Sequence, residues 1–249
     1  MAAARGRQPR RGGALWENIK AFGGALIIFL FVRAFLVEAF RIPSGSMIPT
    51  LLVGDWLFVN KLVYGPHVPF TSVNLPGYSE PERGEVVVFI SPYQGDEAAM
   101  GNDPTPTLVK RLWGTPGDTL YMRDGLLYIN GEARPQPAEM ASNPVGDPGD
   151  RSMLFEWQRR HALSDTRFGS APAEPTVGNW GPLLIPDGYY FMLGDNRYGS
   201  KDSRYWGLVP RENFRGRPIF VYYSWDVEAR RPLGFLRDIR WDRIGHRIR

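Results

Sequence analysis

The chain of 249 residues contains no cysteine. That excludes disulfides, thiolate nucleophiles and cysteine-ligated metal. Histidine is nearly as scarce: His67, His161 and His246 are the only three, far apart and without ligand-like spacing. A metal centre and a histidine-based triad therefore have little to be built from, and no metal or other cofactor is expected. Lysine is rare as well, with Lys20, Lys61, Lys110 and Lys201 making up all four. Long helical periodicity is missing beyond Phe40. What is present is 28 Gly and 22 Pro in an ordinary balance of 43% hydrophobic and 22% charged residues. Such a composition suits a globular, β-rich chain with many turns.

The net charge is only +4, but it is unevenly placed. Arg5, Arg7, Arg10 and Arg11 crowd the start, and a second Arg-rich stretch runs from Arg230 to Arg249. No nucleic-acid-binding motif accompanies either cluster, so no nucleic-acid partner is expected. Their places at the two ends fit anionic lipid headgroups instead.

Residues 21–32, AFGGALIIFLFV, form an uninterrupted apolar run that AFLVEAF extends to Phe40. Counted from Leu15, the stretch is long enough to cross a bilayer with Arg33 snorkelling at the outer interface. The rival reading is a cleaved secretory signal, but VRAFLVEAFRIP is bulky and lacks a small-x-small cleavage site. Residues 1–14 thus read as a basic cytoplasmic tail and 15–40 as a retained transmembrane anchor. The arginines before the span hold the N-terminus in the cytoplasm, which leaves the rest facing the periplasm or the exterior.

After the anchor come short β-like runs: 55–65, 84–91, 107–114, 118–122, 126–129, 189–193 and 217–225. Asp124-Gly125 and Asn130-Gly131 between them are turn signals. Many short strands split by Gly/Pro turns indicate an antiparallel β architecture. Residues 92–106 read as a surface loop. Residues 133–183, rich in Pro, Ala and Gly, read as an insertion or lid with one helix-compatible stretch around Met153–Leu163. The C-terminal stretch mixes Trp, Phe, Leu and Ile with arginine, as a membrane-surface segment does.

The segment RIPSGSMIPTL at 41–51 follows the apolar run directly. Gly45 lies between Ser44 and Ser46, and flanking prolines restrict the backbone. Such a loop can hold a hydroxyl at one exposed point. From SGS alone the plainer reading is a polar linker, since a serine nucleophile needs a base. With histidine so scarce, that partner is sought among the lysines. Lys20 is on the cytoplasmic side, and Lys201 in NRYGSKDSR should be solvated. Lys61 and Lys110 both lie in strand-like runs. By alternation Leu108, Lys110 and Leu112 share one face, where desolvation would favour a neutral amine able to take a proton. Val59 and Val63 flank Lys61 in the same way, so pattern alone does not choose. The run GDNRYGSKDSRYWG at 194–207 reads as an ion-paired loop, with no sequence rule tying Ser200 to either lysine.

Taken together, four blocks in order resemble the bacterial type I signal peptidases, the leader peptidases: PSGSMIPTL at 43–51, GDWLFVNKLVYG at 54–65, KRLWGTPGD at 110–118 and GDNRYGSKDSRYWG at 194–207. The resemblance implies an acylated nucleophile at Ser46 with Lys110, not Lys61, as general base. It implies that Ser200 hydrogen-bonds the Lys110 amine and that Ser44 and the Ser46 N–H hold the oxyanion. Asp195, Asp202, Arg204 and Arg111 would form bracing ion pairs. Ile42, Met47, Leu51 and Val109 would line shallow pockets for small substrate side chains. It further implies a bacterial inner-membrane enzyme that cuts exported preproteins after Ala-X-Ala-like sites beside the secretion machinery. The implied fold is an antiparallel β core, 41–118 and 189–249, with a smaller β domain inserted at 119–188. Two other readings stand beside it: a self-cleaving Ser/Lys repressor-type protease, and a tethered β domain without catalysis.

Overall fold

The computed structural model describes residues 11–71, 73–134, 156–163, 167–229 and 231–249. It begins with helix α1 (Arg11–Phe31), which continues through a π turn, Val32–Leu36. Trp16–Leu36 is a stretch of 21 residues long and apolar enough to cross a membrane, and none of it is buried against the other described residues. At ~1.5 Å per residue this spans roughly 30 Å, the thickness of a hydrocarbon core.

The helix stops earlier than the apolar run suggests. Strand β1 is Val37–Arg41, so Val37–Phe40, read from sequence as the end of the anchor, is not helical. The strand pairs antiparallel with β2 (Asp55–Asn60), Val37 facing Asn60 and Arg41 facing Trp56. Within this strand the Glu38 carboxylate meets Lys61 Nζ at 3.2 Å, a partner that lipid would not supply. Lys61 Nζ also donates to the Arg33 carbonyl at 3.3 Å, tying the helix exit to the end of β2.

The described residues form two antiparallel sheets. The larger contains β1, β2, β3 (Val86–Ile90), β4 (Thr107–Gly114), β9 (Tyr189–Leu193), β10 (Val209–Pro210) and β11 (Phe214–Ser224). Its order is β1-β2-β11-β3-β4-β9-β10. The smaller contains β5 (Thr119–Arg123), β6 (Leu126–Ile129), β7 (Glu132–Arg134) and β8 (Trp180–Leu184), in the order β7-β6-β5-β8. Asp124-Gly125 turns β5 into β6 with both residues at positive φ, the geometry that Asp-Gly hairpins favour. Segment 92–106 carries a short helix, α2 (Gly95–Ala99). Helix α3 (Glu156–His161) falls in the helix-compatible stretch, whose earlier residues 153–155 lie outside the described ones.

Three apolar clusters hold these layers. One gathers Val87, Phe89, Leu112, Met192 and Phe214 on one face of the large sheet. A second joins the small sheet to β9 through Leu120, Leu127, Trp180, Leu183 and Phe191. The third lies under the β1–β2 connection and includes Ile42, Met47, Leu51, Leu57, Val88 and Val221. The C-terminal segment returns to β11, with Gly245 N–H donating to the Val221 carbonyl and Ile248 N–H to that of Ile219.

Candidate active site

Ser46 sits in the connection between β1 and β2. The base of that loop is closed by Ile42 N–H donating to Asp55 O at 2.8 Å and Gly54 N–H to Ile42 O at 3.0 Å. Gly45–Met47 form one 3-10 turn, and Leu51 N–H bonds the Met47 carbonyl. Met47 and Leu51 are 1% and 0% exposed, so the loop is pinned in the third cluster by two side chains that follow the serine. Ser46, just before them, stays half-exposed.

Lys110 comes from β4, opposite Val87 of β3. Its Nζ lies 2.7 Å from Ser46 Oγ, a hydrogen bond, and donates to the Val109 carbonyl at 3.2 Å. The residue is 3% exposed. Burial pushes its pKa down from the ordinary 10.5 to about 8; the charges of Asp202 and Asp195 pull upward, and that of Arg204 downward. Burial prevails because both carboxylates are already committed. Asp195 accepts Arg111 Nε at 2.8 Å and Nη2 at 2.6 Å, and also the Thr50 hydroxyl at 2.6 Å. Asp202 accepts Arg204 Nε and Nη2, both at 2.8 Å, and the Gly194 N–H at 3.0 Å. Asp202 and Arg204 are fully buried. Burial opposes ionisation of Asp202, yet its pKa is lowered because Arg204's charge and hydrogen bonds outweigh that penalty.

Lys61, the other strand lysine, lies at the far end of β2 with Glu38, away from Ser46. Lys201 differs from its sequence reading. It is partly exposed but engaged: its Nζ bonds Asp96 at 2.6 Å and Glu97 at 2.7 Å, linking the 194–207 loop to α2. None of the described residues forms a cluster of His, Asp and Glu suited to a metal ion.

A hydroxyl on a dedicated turn, bonded to a buried amine with a depressed pKa, is the equipment of acyl transfer by a serine–lysine pair. A family model described as signal peptidase, peptidase S26, matches residues 15–225. The chain belongs to that family. Signal peptidase I of Pseudomonas aeruginosa is 37% identical over 223 residues, covering 85% of this chain and 73% of that protein. That of Pseudomonas fluorescens is 38% identical over 226 residues, with the same 85% and 73% coverage. The Leptolyngbya laminosa protein of the same name is 32% identical over 229 residues, 91% of this chain and 88% of its own. Membership makes the chain a serine peptidase that hydrolyses peptide bonds and removes signal peptides.

Not every residue named from sequence in this peptidase sits as the resemblance implies. The hydrogen bond from Ser200 to the Lys110 amine is not formed: among the described residues, Ser200 Oγ is buried without a hydrogen-bond partner. It packs against Gly194, where an added Cβ would fall 2.1 Å from Ser200 Oγ and 2.5 Å from the Ser46 carbonyl oxygen. Ser44 is exposed, extended and makes no capping bond. Ile42, Met47 and Leu51 are buried in the third cluster and Val109 packs half-buried against it, so these side chains support the site from below.

Several residues that position the site carried no signal in the sequence. Thr50 bridges Arg111 and Asp195, with Arg111 Nη2 at 3.2 Å from its hydroxyl. Arg197 Nε donates to the Gly194 carbonyl at 3.0 Å while its guanidinium stacks on Trp113. Asn196 reaches the serine turn itself: its N–H donates to Ser46 O at 3.1 Å. Each joins segments far apart in the chain, which no local motif reveals. The density of polar residues in 194–207 was the available hint.

Proposed function

We propose that this signal peptidase is a single-span, membrane-anchored endopeptidase in which Ser46 is the nucleophile and Lys110 the general base. The observation that carries this reading is the 2.7 Å contact between Lys110 Nζ and Ser46 Oγ, with the amine buried. As Oγ attacks the scissile carbonyl carbon, the neutral amine accepts the hydroxyl proton. The tetrahedral oxyanion then collapses, breaking the C–N bond. The departing amine, the new N-terminus of the mature protein, takes its proton from the Lys110 ammonium. Water, deprotonated by Lys110 in turn, hydrolyses the acyl-enzyme and frees the signal peptide's carboxylate.

The Ser46 N–H and the Ser44 hydroxyl are the proposed oxyanion donors. Ser46 lies in the first turn of its 3-10 helix, where N–H groups have no intrahelical partner. Ser44 reaches that position by rotating an unengaged side chain. Ser200 is proposed to orient the Lys110 ammonium when it forms, since its buried hydroxyl is free to accept. Arg111–Asp195 and Asp202–Arg204 brace the two loops.

The substrate segment is proposed to add as a strand beside Thr107–Val109. Pairing of β4 with β9 begins only at Arg111, so these residues have one open edge. Small substrate side chains, as in Ala-X-Ala sites, are proposed to rest over Ile42, Met47, Leu51 and Val109. Trp16–Leu36 crosses the bacterial inner membrane with Arg5, Arg7, Arg10 and Arg11 on the cytoplasmic side. Ser46 then works where a preprotein leaves the secretion machinery, and the apolar and basic C-terminal segment rests on lipid.

The test is processing of an Ala-X-Ala preprotein by membranes carrying wild type, Ser46→Ala or Lys110→Ala. Both variants should lose activity by on the order of 10³-fold or more. Wild-type processing by either one sinks the assignment.

A further inference from the structure

The Gly45–Ser46 peptide is held from outside its own loop. Its carbonyl accepts two hydrogen bonds, from Ile48 N–H at 3.1 Å and from Asn196 Nδ2 at 3.1 Å. The orientation of that side-chain amide follows from its other end, where Oδ1 accepts the Gly199 N–H at 3.1 Å, so the NH₂ must face Gly45. The Asn196 main chain grips the next peptide as well, its N–H donating to Ser46 O at 3.1 Å. One residue thus holds both carbonyls that flank the Ser46 α-carbon.

In a trans peptide the C=O and N–H lie in one plane and point opposite ways. Fixing the Gly45 carbonyl therefore fixes the direction of the Ser46 N–H on the other side of the same plane. Hydrogen bonds to the carbonyl also polarise the peptide, which strengthens its N–H as a donor. An oxyanion hole depends on this kind of preorganisation, because a donor turned away when charge develops contributes little.

We propose that Asn196 is a positioning residue for the oxyanion hole, acting through the Gly45–Ser46 peptide and not by touching substrate. The inference rests on the proposed role of the Ser46 N–H. It predicts a loss confined to the transition state: ground-state binding should be untouched, and so should the titration of Lys110.

The decisive comparison uses the full-length enzyme with wild-type residue, Asn196→Ala and Asn196→Asp. Asn196→Asp keeps the acceptor for Gly199 N–H and replaces the donor to Gly45 with a carboxylate oxygen, which repels that carbonyl. For both variants kcat should fall at least ~10-fold with KM within about twofold. Affinity for a peptide aldehyde of substrate sequence, whose adduct oxygen lies where the oxyanion does, should fall in parallel with kcat. Asn196→Ala should keep the wild-type pH profile and thermal midpoint. If it does not fold, Asn196→Asp carries the test through its kcat and aldehyde affinity.

Wild-type kcat in a folded variant overturns the proposal, as does a rise in KM with kcat unchanged, or a kcat loss that leaves aldehyde affinity intact. Ser46→Ala run alongside separates the two readings. If it is inactive while Asn196 variants are normal, the Asn196 role falls and the nucleophile stands. If Ser46→Ala is active, both fall.

Discussion

At Lys110 the competition is between desolvation, which expels charge, and the carboxylates of Asp202 and Asp195, which invite it. Each carboxylate is bonded to its own arginine, so desolvation wins and the pKa settles at about 8. The activity consequence has a definite sign. Only the neutral amine accepts a proton, so kcat/KM should rise with pH through an apparent pKa near 8 and be lost below it. A pH–rate profile on a peptide substrate checks this, and a plateau persisting well below neutral pH is incompatible with a lysine base. Stability follows the same linkage. A lysine pKa lowered on folding contributes stability that is full above the unfolded value of about 10.4 and is lost as pH falls through the folded value. Gly194 offers a second residue-scale prediction. Because an added Cβ would overlap Ser200 Oγ and the Ser46 carbonyl oxygen, Gly194→Ala should cost ~10²-fold or more in kcat through displacement of the serine turn. The protein should still fold, with a thermal midpoint lowered by the ~1–3 kcal/mol that overpacking costs.

Among the elements, the 194–207 loop and short helix α4 (Ser203–Trp206) concentrate the electrostatics. Asp202 caps α4, accepting the Arg204 N–H at 3.3 Å, while its carboxylate also binds the Arg204 side chain and the Gly194 N–H. Removing one partner strands a charge in a dry interior. Asp202→Ala should therefore destabilise by about 3–5 kcal/mol, read as a fall in thermal midpoint in detergent. Lys201→Ala, one residue away, should cost no more than about 1 kcal/mol, since its pairs with Asp96 and Glu97 are solvent-screened. Equal losses in the two variants would refute this ranking by burial. Strand β4 makes the same point from the sequence side. Its period-two pattern was readable, and its limits match the run at 107–114. The pattern did not say which face is dry, because that depends on β3, β9 and the serine loop closing around Lys110.

For the molecule as a whole, one apolar helix precedes a β body whose large sheet begins at the residue after the helical turn ends. Among the described residues the helix contacts nothing that would bury its apolar surface, and under the proposed anchoring lipid or detergent covers it. Co-flotation with liposomes checks this. The full chain should float, and a Leu26→Asp/Ile27→Arg double variant should shift toward the soluble fraction, each charge costing ~2.5–3.5 kcal/mol at mid-span. Flotation equal to wild type would show that another surface holds the protein to lipid.

Much of this was written in the chain itself. The scarcity of cysteine and histidine, the apolar run, the turn dipeptides and the four ordered blocks carried the class of fold and the family, because each depends on local composition or spacing. Pattern alone could not separate Lys110 from Lys61; the blocks pointed to Lys110, and the two environments differ only once the strands pair. Tertiary structure alone decided that Val37–Phe40 leaves the helix for β1 and that Met47 and Leu51 anchor the serine turn. It also decided that Ser200 makes no hydrogen bond to the amine, and that Asn196 grips the Gly45–Ser46 peptide across 151 positions of sequence. Desolvation and long-range hydrogen bonds are properties of segments brought together, so no reading of one segment contains them.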